Sequence, residues 1–184
     1  MTTRSYGRVQ SCFWSSDDIR HLSDHAKLIA LYLLTGPHTT LLGCFRLPDG
    51  YAAEDLGDTA EKLGTGLGEL NRSGFCDRDD VSKFVLVHRF LRWNKIENPN
   101  QAKAAKRLFG DVPDRSPLKL ELAQAIWEHC PQYAPQIVGP RKTLSERFGK
   151  PFRNQEQEQE PFLSKGEASS KVRELGTARR GAAA

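Results

Sequence analysis

The sequence predicts an α+β fold: one small domain, a helical extension and a polar tail. Helical apolar spacing alternates with short β-branched runs between residues 23 and 93, and glycine, proline or acidic turns separate these segments. After Pro140 the apolar spacing fades into polar, small-residue sequence of the kind found in disordered tails. A chain of 184 residues has room for one ordinary domain with such additions.

Composition excludes several classes of protein. The chain is 38% hydrophobic and 27% charged, close to the averages for globular domains. Its longest apolar run, residues 28–34, is too short to cross a bilayer, and the N-terminus lacks a secretory signal pattern. The four cysteines lie far apart without zinc-ligand spacing, so we expect free thiols, a cytoplasmic location and no membrane contact.

The domain is expected to begin with a helix capped by the Ser23 hydroxyl. Apolar side chains surround most of this helix, which predicts a central position in the core, and Gly36 ends it. A short strand is expected over residues 39–47, which are β-branched and apolar, and Pro48-Asp49-Gly50 breaks it.

Two helices joined by a tight turn should follow. The first covers residues 51–56 and ends at Gly57, which suits a left-handed conformation. The second begins after Asp58, the predicted cap, and extends to about residue 73. Its expected buried stripe is Ala60, Leu63, Leu67 and Leu70. The helix also contains Gly64, Gly66 and Gly68, which either permit close approach to a phosphate backbone or break the helix.

A β-hairpin is expected next, with extended runs at residues 74–78 and 81–90 around an Asp79-Asp80 turn. The order helix, strand, helix, turn, helix, hairpin is that of a winged-helix domain, here residues 23–93. Residues 1–22 would be an N-terminal lead-in, residues 94–139 a basic and amphipathic helical extension, and residues 140–184 a mostly disordered tail.

The helical extension includes an amphipathic helix for which Ser116 is the expected cap and Pro117 suits the first turn. Its apolar face comprises Leu118, Leu122, Ile126 and Cys130. That face should dock either on the first domain or on a partner.

Charge is distributed unevenly along the chain. Residues 49–80 hold nine acidic side chains against three basic ones, Lys62, Arg72 and Arg78. Residues 88–109 carry the opposite sign, with six cations and one acid, Glu97. Lys103, Lys106 and Arg107 share one helical face, which could follow a phosphate strand, although a solvated surface is the alternative.

These patterns predict a protein that binds double-stranded DNA mainly through phosphates, with affinity that falls as salt rises. In a winged helix the second helix of the pair enters the major groove, whereas the charge pattern moves the main contact to the hairpin exit and the basic helix after it. The candidate DNA-binding residues are Thr59, Lys62, Thr65, Arg72, Lys83, Arg89, Arg92, Lys95, Lys103, Lys106 and Arg107. Trp93 either stacks on a base or, as is more common after a strand, lies in the core.

No motif predicts an enzyme. Nucleotide-binding and nucleophile-elbow patterns are absent, and the GTGLG run at residues 64–68 lacks the Lys-Ser or Lys-Thr of a phosphate loop. His21 and His25 lie on either side of a helix start without a carboxylate motif, and a hairpin turn accounts for the acids at 77, 79 and 80. We therefore expect no catalytic residue, metal site or cofactor.

Four segments, CFWSSDDIRHLSDHAKLIALYLLTGP, YAAEDLG, GELNRSGF and HRFLRWNKIENPNQAKAAKRLF, resemble the N-terminal region of helix-turn-helix proteins from phage and prophage replication modules. The resemblance covers about residues 6–110 and is most specific at residues 13–15 and 92–100. It implies a winged-helix DNA binder in replication initiation, with a tail that contacts a host helicase or helicase loader. A transcriptional regulator of a phage operon and an interaction adaptor in replisome assembly are the alternatives.

Overall fold

A computed structural model of the chain describes residues 7–140. These residues all belong to one compact unit, Met1–Phe152. Almost all of the predicted tail, residues 140–184, lies outside the described part of the chain, as do the first six residues of the lead-in. Among the described residues, no helix is long and apolar enough to cross a membrane.

The fold is α+β, as the sequence predicts. Within residues 7–140 it comprises a short 3-10 helix, eight α-helices and a three-stranded antiparallel sheet. The elements in chain order are the 3-10 helix Ser11–Ser15, α1 Asp17–Arg20, α2 Asp24–Thr35, β1 Cys44–Arg46, α3 Asp49–Leu56, α4 Ala60–Arg72, β2 Cys76–Asp79, β3 Phe84–Val87, α5 Phe90–Trp93, α6 Pro99–Asp111, α7 Leu118–His129 and α8 Ala134–Val138.

The sheet has the strand order β1-β3-β2, so β3 is hydrogen-bonded on both edges. Val85 at its centre pairs with Phe45 on one side and with Arg78 on the other. All four residues of β3 are buried, although successive side chains of a strand point to opposite faces. Both faces of the central strand are therefore covered, and α7 contacts β2 and β3.

Helix α2 buries one face in the core, but Leu28 is 49% exposed, so the expected burial on nearly all sides is wrong. The Ser23 hydroxyl accepts a hydrogen bond from the amide of Ala26 at 3.1 Å, which confirms the predicted cap. Ile29 and Leu33 are fully buried on this helix. Helix α2 packs against α4, so the two helices form the interior of the first half of the fold.

Two element boundaries differ from the prediction, and a third agrees. The strand expected over residues 39–47 is reduced to Cys44–Arg46, because the chain turns before it and Gly43 takes a left-handed φ of 65°. The next helix begins at Asp49 rather than at residue 51. Gly57 ends that helix with φ 65° and ψ 34°, the predicted left-handed conformation.

The start of α4 also departs from the prediction. Thr59, not Asp58, is the N-cap, and its hydroxyl accepts from the amide of Lys62 at 3.3 Å. The Asp58 carboxylate instead accepts from the amide of Thr59 at 2.8 Å and pairs with His25 of α2. Ala60 is exposed rather than buried, whereas the rest of the expected stripe lies in the core. Asp58 thus ties the turn before α4 to α2.

The predicted hairpin is present as β2 and β3 with a four-residue turn between them. The Asp79 carboxylate accepts from the amide of Val81 at 3.0 Å and from the hydroxyl of Ser82 at 2.6 Å. Hydroxyl groups of Ser82 and Ser116 lower the pKa of Asp79 from 3.8 to about 2. The turn closes through Lys83, which has a left-handed φ of 59°.

The amphipathic helix of the extension is α7, and its predicted apolar face is buried as expected. It docks on the sheet, which resolves the choice between the first domain and a partner in favour of the domain. Ser116 makes no side-chain cap; Pro117 holds the N-cap position. The lead-in is also integrated, because Phe13 and Ile19 belong to the same hydrophobic core.

All four cysteines are unpaired, in agreement with the prediction of free thiols. Cys44, Cys76 and Cys130 are buried, whereas Cys12 is exposed. Burial raises the pKa of the Cys44 and Cys76 thiols to about 12.

Candidate nucleic-acid interface

Helix α6 presents the most strongly cationic surface predicted from the sequence. Asn98 caps it, with the side-chain oxygen accepting from the amide of Gln101 at 2.9 Å, and Pro99 occupies the first turn. One face of the helix is buried through Ala102, Ala105 and Phe109. The opposite side carries Lys103, Lys106 and Arg107, all exposed, and these three residues are called the α6 cationic face.

No member of the α6 cationic face forms an ion pair with any residue between 7 and 140. Exposed cations without protein partners are hydrated and surrounded by counterions. A polyanion can therefore bind them without first breaking a bond inside the protein.

The segment before α6 adds two exposed cations, Arg92 and Lys95. The guanidinium carbon of Arg92 lies 5.3 Å from the centroid of the Trp93 ring, a cation–π contact. Trp93 is 49% exposed, so the expectation of a core tryptophan is wrong. Phe90 and Leu91 are the residues of α5 that enter the core, and they turn Trp93 outward.

Helix α4 would enter the major groove of DNA in a winged helix. Its polar side chains are less available for DNA contacts than those of α6. The ammonium of Lys62 lies 3.6 Å from the Asp58 carboxylate. Arg72 lies close enough to Glu69 to contribute to lowering the pKa of that carboxyl, after the larger effect of the Ser23 hydrogen bonds. The hydroxyl of Thr65 donates to the carbonyl of Glu61 at 3.1 Å. Acidic groups and local hydrogen bonds thus occupy much of this face.

The two hairpin cations among the candidates are paired as well. The ammonium of Lys83 lies 3.3 Å from the Asp49 carboxylate, which also binds Arg78. Burial raises the pKa of Asp49, but the hydrogen bonds and charges of Arg78 and Lys83 outweigh it and the net shift is downward. Arg89 donates to the carboxylate of Asp18 in α1 at 2.8 Å.

The predicted site residues therefore differ in whether an ion pair or a hydrogen bond within the protein already occupies the side chain. Five cations that follow the hairpin have no ion pair inside residues 7–140: Arg92, Lys95, Lys103, Lys106 and Arg107. Acidic or backbone groups hold Thr59, Lys62, Thr65, Lys83 and Arg89. Arg72 is exposed and also has no ion pair among these residues, but it lies on α4 near Glu69. The first set follows the hairpin in sequence, and the second set lies on or beside α4 and the hairpin.

The lead-in contributes to a feature that the sequence did not predict. It helps to form a cavity of about 140 Å³, whose lining includes Arg8, Phe13, Phe75, Arg89, Arg92 and Trp93. Arg8 and Phe13 lie far from α5 in sequence and follow no helical or strand period, so only folding brings them together. The cavity places further arginine side chains beside Arg92.

One group of side chains among residues 7–140 has a composition suited to holding a metal ion: Asp77, His88 and Glu121. The sequence predicted no metal site, and the spacing of these residues matches no metal-binding motif.

Comparisons of the chain with protein-family models, with curated proteins and with solved structures find no significant match. The fold and the surface charges of the described residues are therefore the observations from which a function is inferred.

Proposed function

We propose that this chain is a winged-helix protein that binds duplex DNA mainly through its phosphates. The order of α2, β1, α3, α4, β2 and β3 supports the fold, with Gly57 forming the tight turn of the helix pair. The strand order β1-β3-β2, in which the hairpin lies beside the short first strand, also supports this proposal.

The observation that carries DNA binding is the α6 cationic face. Its three charges project from one rigid helix, remain exposed and have no acidic partner within residues 7–140. Each phosphate that such a cation neutralises releases condensed counterions, which favours binding without specifying a base sequence. Arg92 and Lys95 extend the same positive segment toward the hairpin.

Helix α4 is a weak reader of bases in this proposal. Glu61 and Glu69 lie on it, and Asp58 lies directly before it, so a phosphate backbone would meet negative charge on approach. Lys62 would also have to leave Asp58 to contact DNA. Tight but sequence-tolerant binding is expected, since phosphate contacts position a protein and base contacts specify its site.

A role in the replication initiation of a phage or prophage element, with a host helicase or helicase loader as a further partner, is the biological setting that we propose. Its support is the resemblance of residues 6–110 to helix-turn-helix proteins of replication modules. Binding of the chain to origin DNA rather than to promoter DNA would distinguish this role from that of a transcriptional regulator.

Gel shifts with a random-sequence duplex test the proposal. Changing Lys103, Lys106 and Arg107 together to Ala should weaken binding about 10- to 100-fold, because three exposed charge contacts are worth about 0.5 to 1 kcal/mol each. The slope of log K against log salt should fall in magnitude by about 2.7, corresponding to three phosphate contacts.

The matched control changes Lys62, Lys83 and Arg89 together to Ala, which removes the same formal charge from ion-paired positions. Its affinity should decrease less than about threefold, since these cations are already neutralised. Equal losses for the two triple variants would contradict the α6 surface. A wild-type chain that shifts no duplex would overturn DNA binding and favour the interaction adaptor.

A further inference from the structure

Three elements bring together the side chains of Asp77, His88 and Glu121. Asp77 lies on β2, His88 directly follows β3, and Glu121 lies on α7. One ligand atom from each residue lies within 4.8 Å of the other two, and all three residues are half-buried. An imidazole nitrogen and two carboxylate oxygens thus converge where α7 meets the hairpin.

The hairpin register fixes two of these residues on one face. Asp77 pairs with Leu86, and the amide of His88 donates to the carbonyl of Phe75 at 2.9 Å. Paired residues share a face, and so do residues two apart on one strand, so Asp77 and His88 project from the same side. The imidazole Nε2 lies 3.2 Å from a carboxylate oxygen of Asp77.

A neighbouring side chain orients the first ligand. The side-chain amide of Asn71, near the end of α4, donates to the second oxygen of Asp77 at 2.6 Å. This leaves the oxygen nearer His88 directed toward the cluster. Hydrogen bonds of this kind to a ligand carboxylate are the usual second layer of a metal site, and they fix the ligand before the ion binds.

We propose that Asp77, His88 and Glu121 bind a divalent transition-metal ion, with Zn²⁺ as the best match, and that the ion fastens α7 to the β2–β3 hairpin. Two carboxylates held this close repel each other, and a divalent cation between them removes that repulsion. The mixture of imidazole and carboxylate suits Zn²⁺ better than Mg²⁺, which prefers oxygen ligands alone. Water would complete the coordination, since the three side chains supply fewer than four ligands.

This inference is independent of DNA binding, because it concerns the joint between the extension and the sheet. Metal binding to the folded state alone would raise the apparent stability of the whole unit by mass action. The metal would directly stabilise the packing of α7, the helix that covers one face of the central strand.

The test uses the full chain after dialysis against a chelator. Isothermal titration with ZnCl₂ should show one ion per chain, and CoCl₂ should give the visible absorption of a Co²⁺ ion with nitrogen and oxygen ligands. Zn²⁺ should also raise the melting temperature, whereas Mg²⁺ at the same concentration should not. Failure of the wild-type chain to bind either transition metal would overturn the site and leave only the close contact between His88 and Asp77.

Variants assign the ligands. His88→Gln, Asp77→Asn and Glu121→Gln should each weaken Zn²⁺ binding at least about tenfold, and Asn71→Ala about tenfold, because it removes a hydrogen bond to a ligand rather than a ligand. His38→Gln is the matched control, because His38 is also 32% exposed and also faces a carboxylate, that of Asp55. Zn²⁺ binding that survives in the double variant Asp77→Asn/His88→Gln would place the ion elsewhere and overturn the proposal, and circular dichroism of the metal-free variants checks that they fold.

Discussion

Helices α4 and α6 invite comparison because both contain thirteen residues, both begin at a polar side-chain cap and both bury one apolar stripe. Their outward faces differ. The cations of α4 are paired with acids, or lie beside them, whereas the α6 cationic face has no ion pair inside residues 7–140. Similar amphipathic patterns have therefore produced one surface of mixed charge, on α4, and one surface that is cationic, on α6.

The difference follows from how each helix is held. Helix α4 packs on α2, and polar contacts at the margin join the two helices: His25 pairs with Asp58, and the amide of Ser23 donates to Glu69 at 3.2 Å. Helix α6 packs against α8, buries the small residues Ala102 and Ala105, and is held at its C-terminal end by Lys119 of α7. Within residues 7–140, no ion pair involves the three cations on its outward side, so no acidic group of this part of the chain competes with a polyanion for them.

The largest effect on stability is expected at Lys119, which holds the C-terminal end of α6. Lys119 is only 4% exposed. Its ammonium donates to the carbonyl of Val112, the C-cap of α6, at 2.5 Å. The same ammonium lies 2.7 Å from the Asp114 carboxylate. Lys119→Ala removes both bonds and leaves a cavity beside Phe109, so the free energy of unfolding should fall by about 3 kcal/mol. Urea denaturation measures this loss, and Lys103→Ala, an exposed control on α6, should change stability by less than about 0.5 kcal/mol.

Replacing two glycines of α4 with alanine should change the stability of the protein in opposite directions. A Cβ at Gly66 would lie 2.3 Å from Cδ1 of the fully buried Ile29, whereas Gly64 has open space around it. Gly66→Ala should therefore destabilise the protein by about 1 to 2 kcal/mol through overpacking. Gly64→Ala should stabilise it by up to about 1 kcal/mol, because alanine favours the helix. Thermal unfolding of the two variants measures both effects, and stabilisation by Gly66→Ala would show that α4 does not need its close approach to α2.

The two caps offer a closer comparison of the helices. Asn98→Ala removes a 2.9 Å hydrogen bond from the start of α6 and should cost about 1 kcal/mol. Thr59→Ala removes a weaker bond of 3.3 Å and should cost about 0.5 kcal/mol. The ratio of the two losses in chemical denaturation is the useful quantity. A larger loss for Thr59→Ala would mean that the start of α4 depends on its cap more than the contacts of Asp58 suggest.

The smallest expected effect is a pH dependence of the stability that arises from Asp79 in the hairpin turn. Since hydrogen bonds lower the pKa of Asp79 to about 2 in the folded state, its ionised form stabilises the fold above the unfolded value near 3.8. That contribution, about 1 kcal/mol or less after solvent screening, should disappear as pH falls from about 4 to 2. Asp79→Asn should flatten the stability profile over this range. Parallel profiles for wild type and Asp79→Asn would contradict the assignment.

Local signals in the sequence were sufficient for most of the fold. The Ser23 cap, the left-handed Gly57 and the buried faces of α2 and α7 follow from residue type and spacing within one or two turns of chain. The cap of α4 was misassigned because Asp58 and Thr59 are adjacent and both suit the position. Only the contact of Asp58 with His25 in another helix distinguishes them.

The candidate site was less predictable because its key differences are long-range. Arg89 and Asp18 are 71 positions apart, and Lys83 and Asp49 are 34 apart, so no pattern in the sequence shows which cations are neutralised. The role of Gly66 likewise depends on how closely α2 and α4 pack. The charge of the α6 cationic face could be predicted because helical spacing alone places its three residues on one side.

The four thiols should differ in their reactivity toward alkylating reagents. Alkylating reagents react with thiolates, and burial with strongly raised pKa values protects Cys44 and Cys76, while Cys130 is buried as well. Cys12 is exposed and lines the cavity that Arg92 and Trp93 help to form. A maleimide fluorophore would therefore attach to the natural chain at Cys12 and report on ligands that reach that cavity, without any engineered residue.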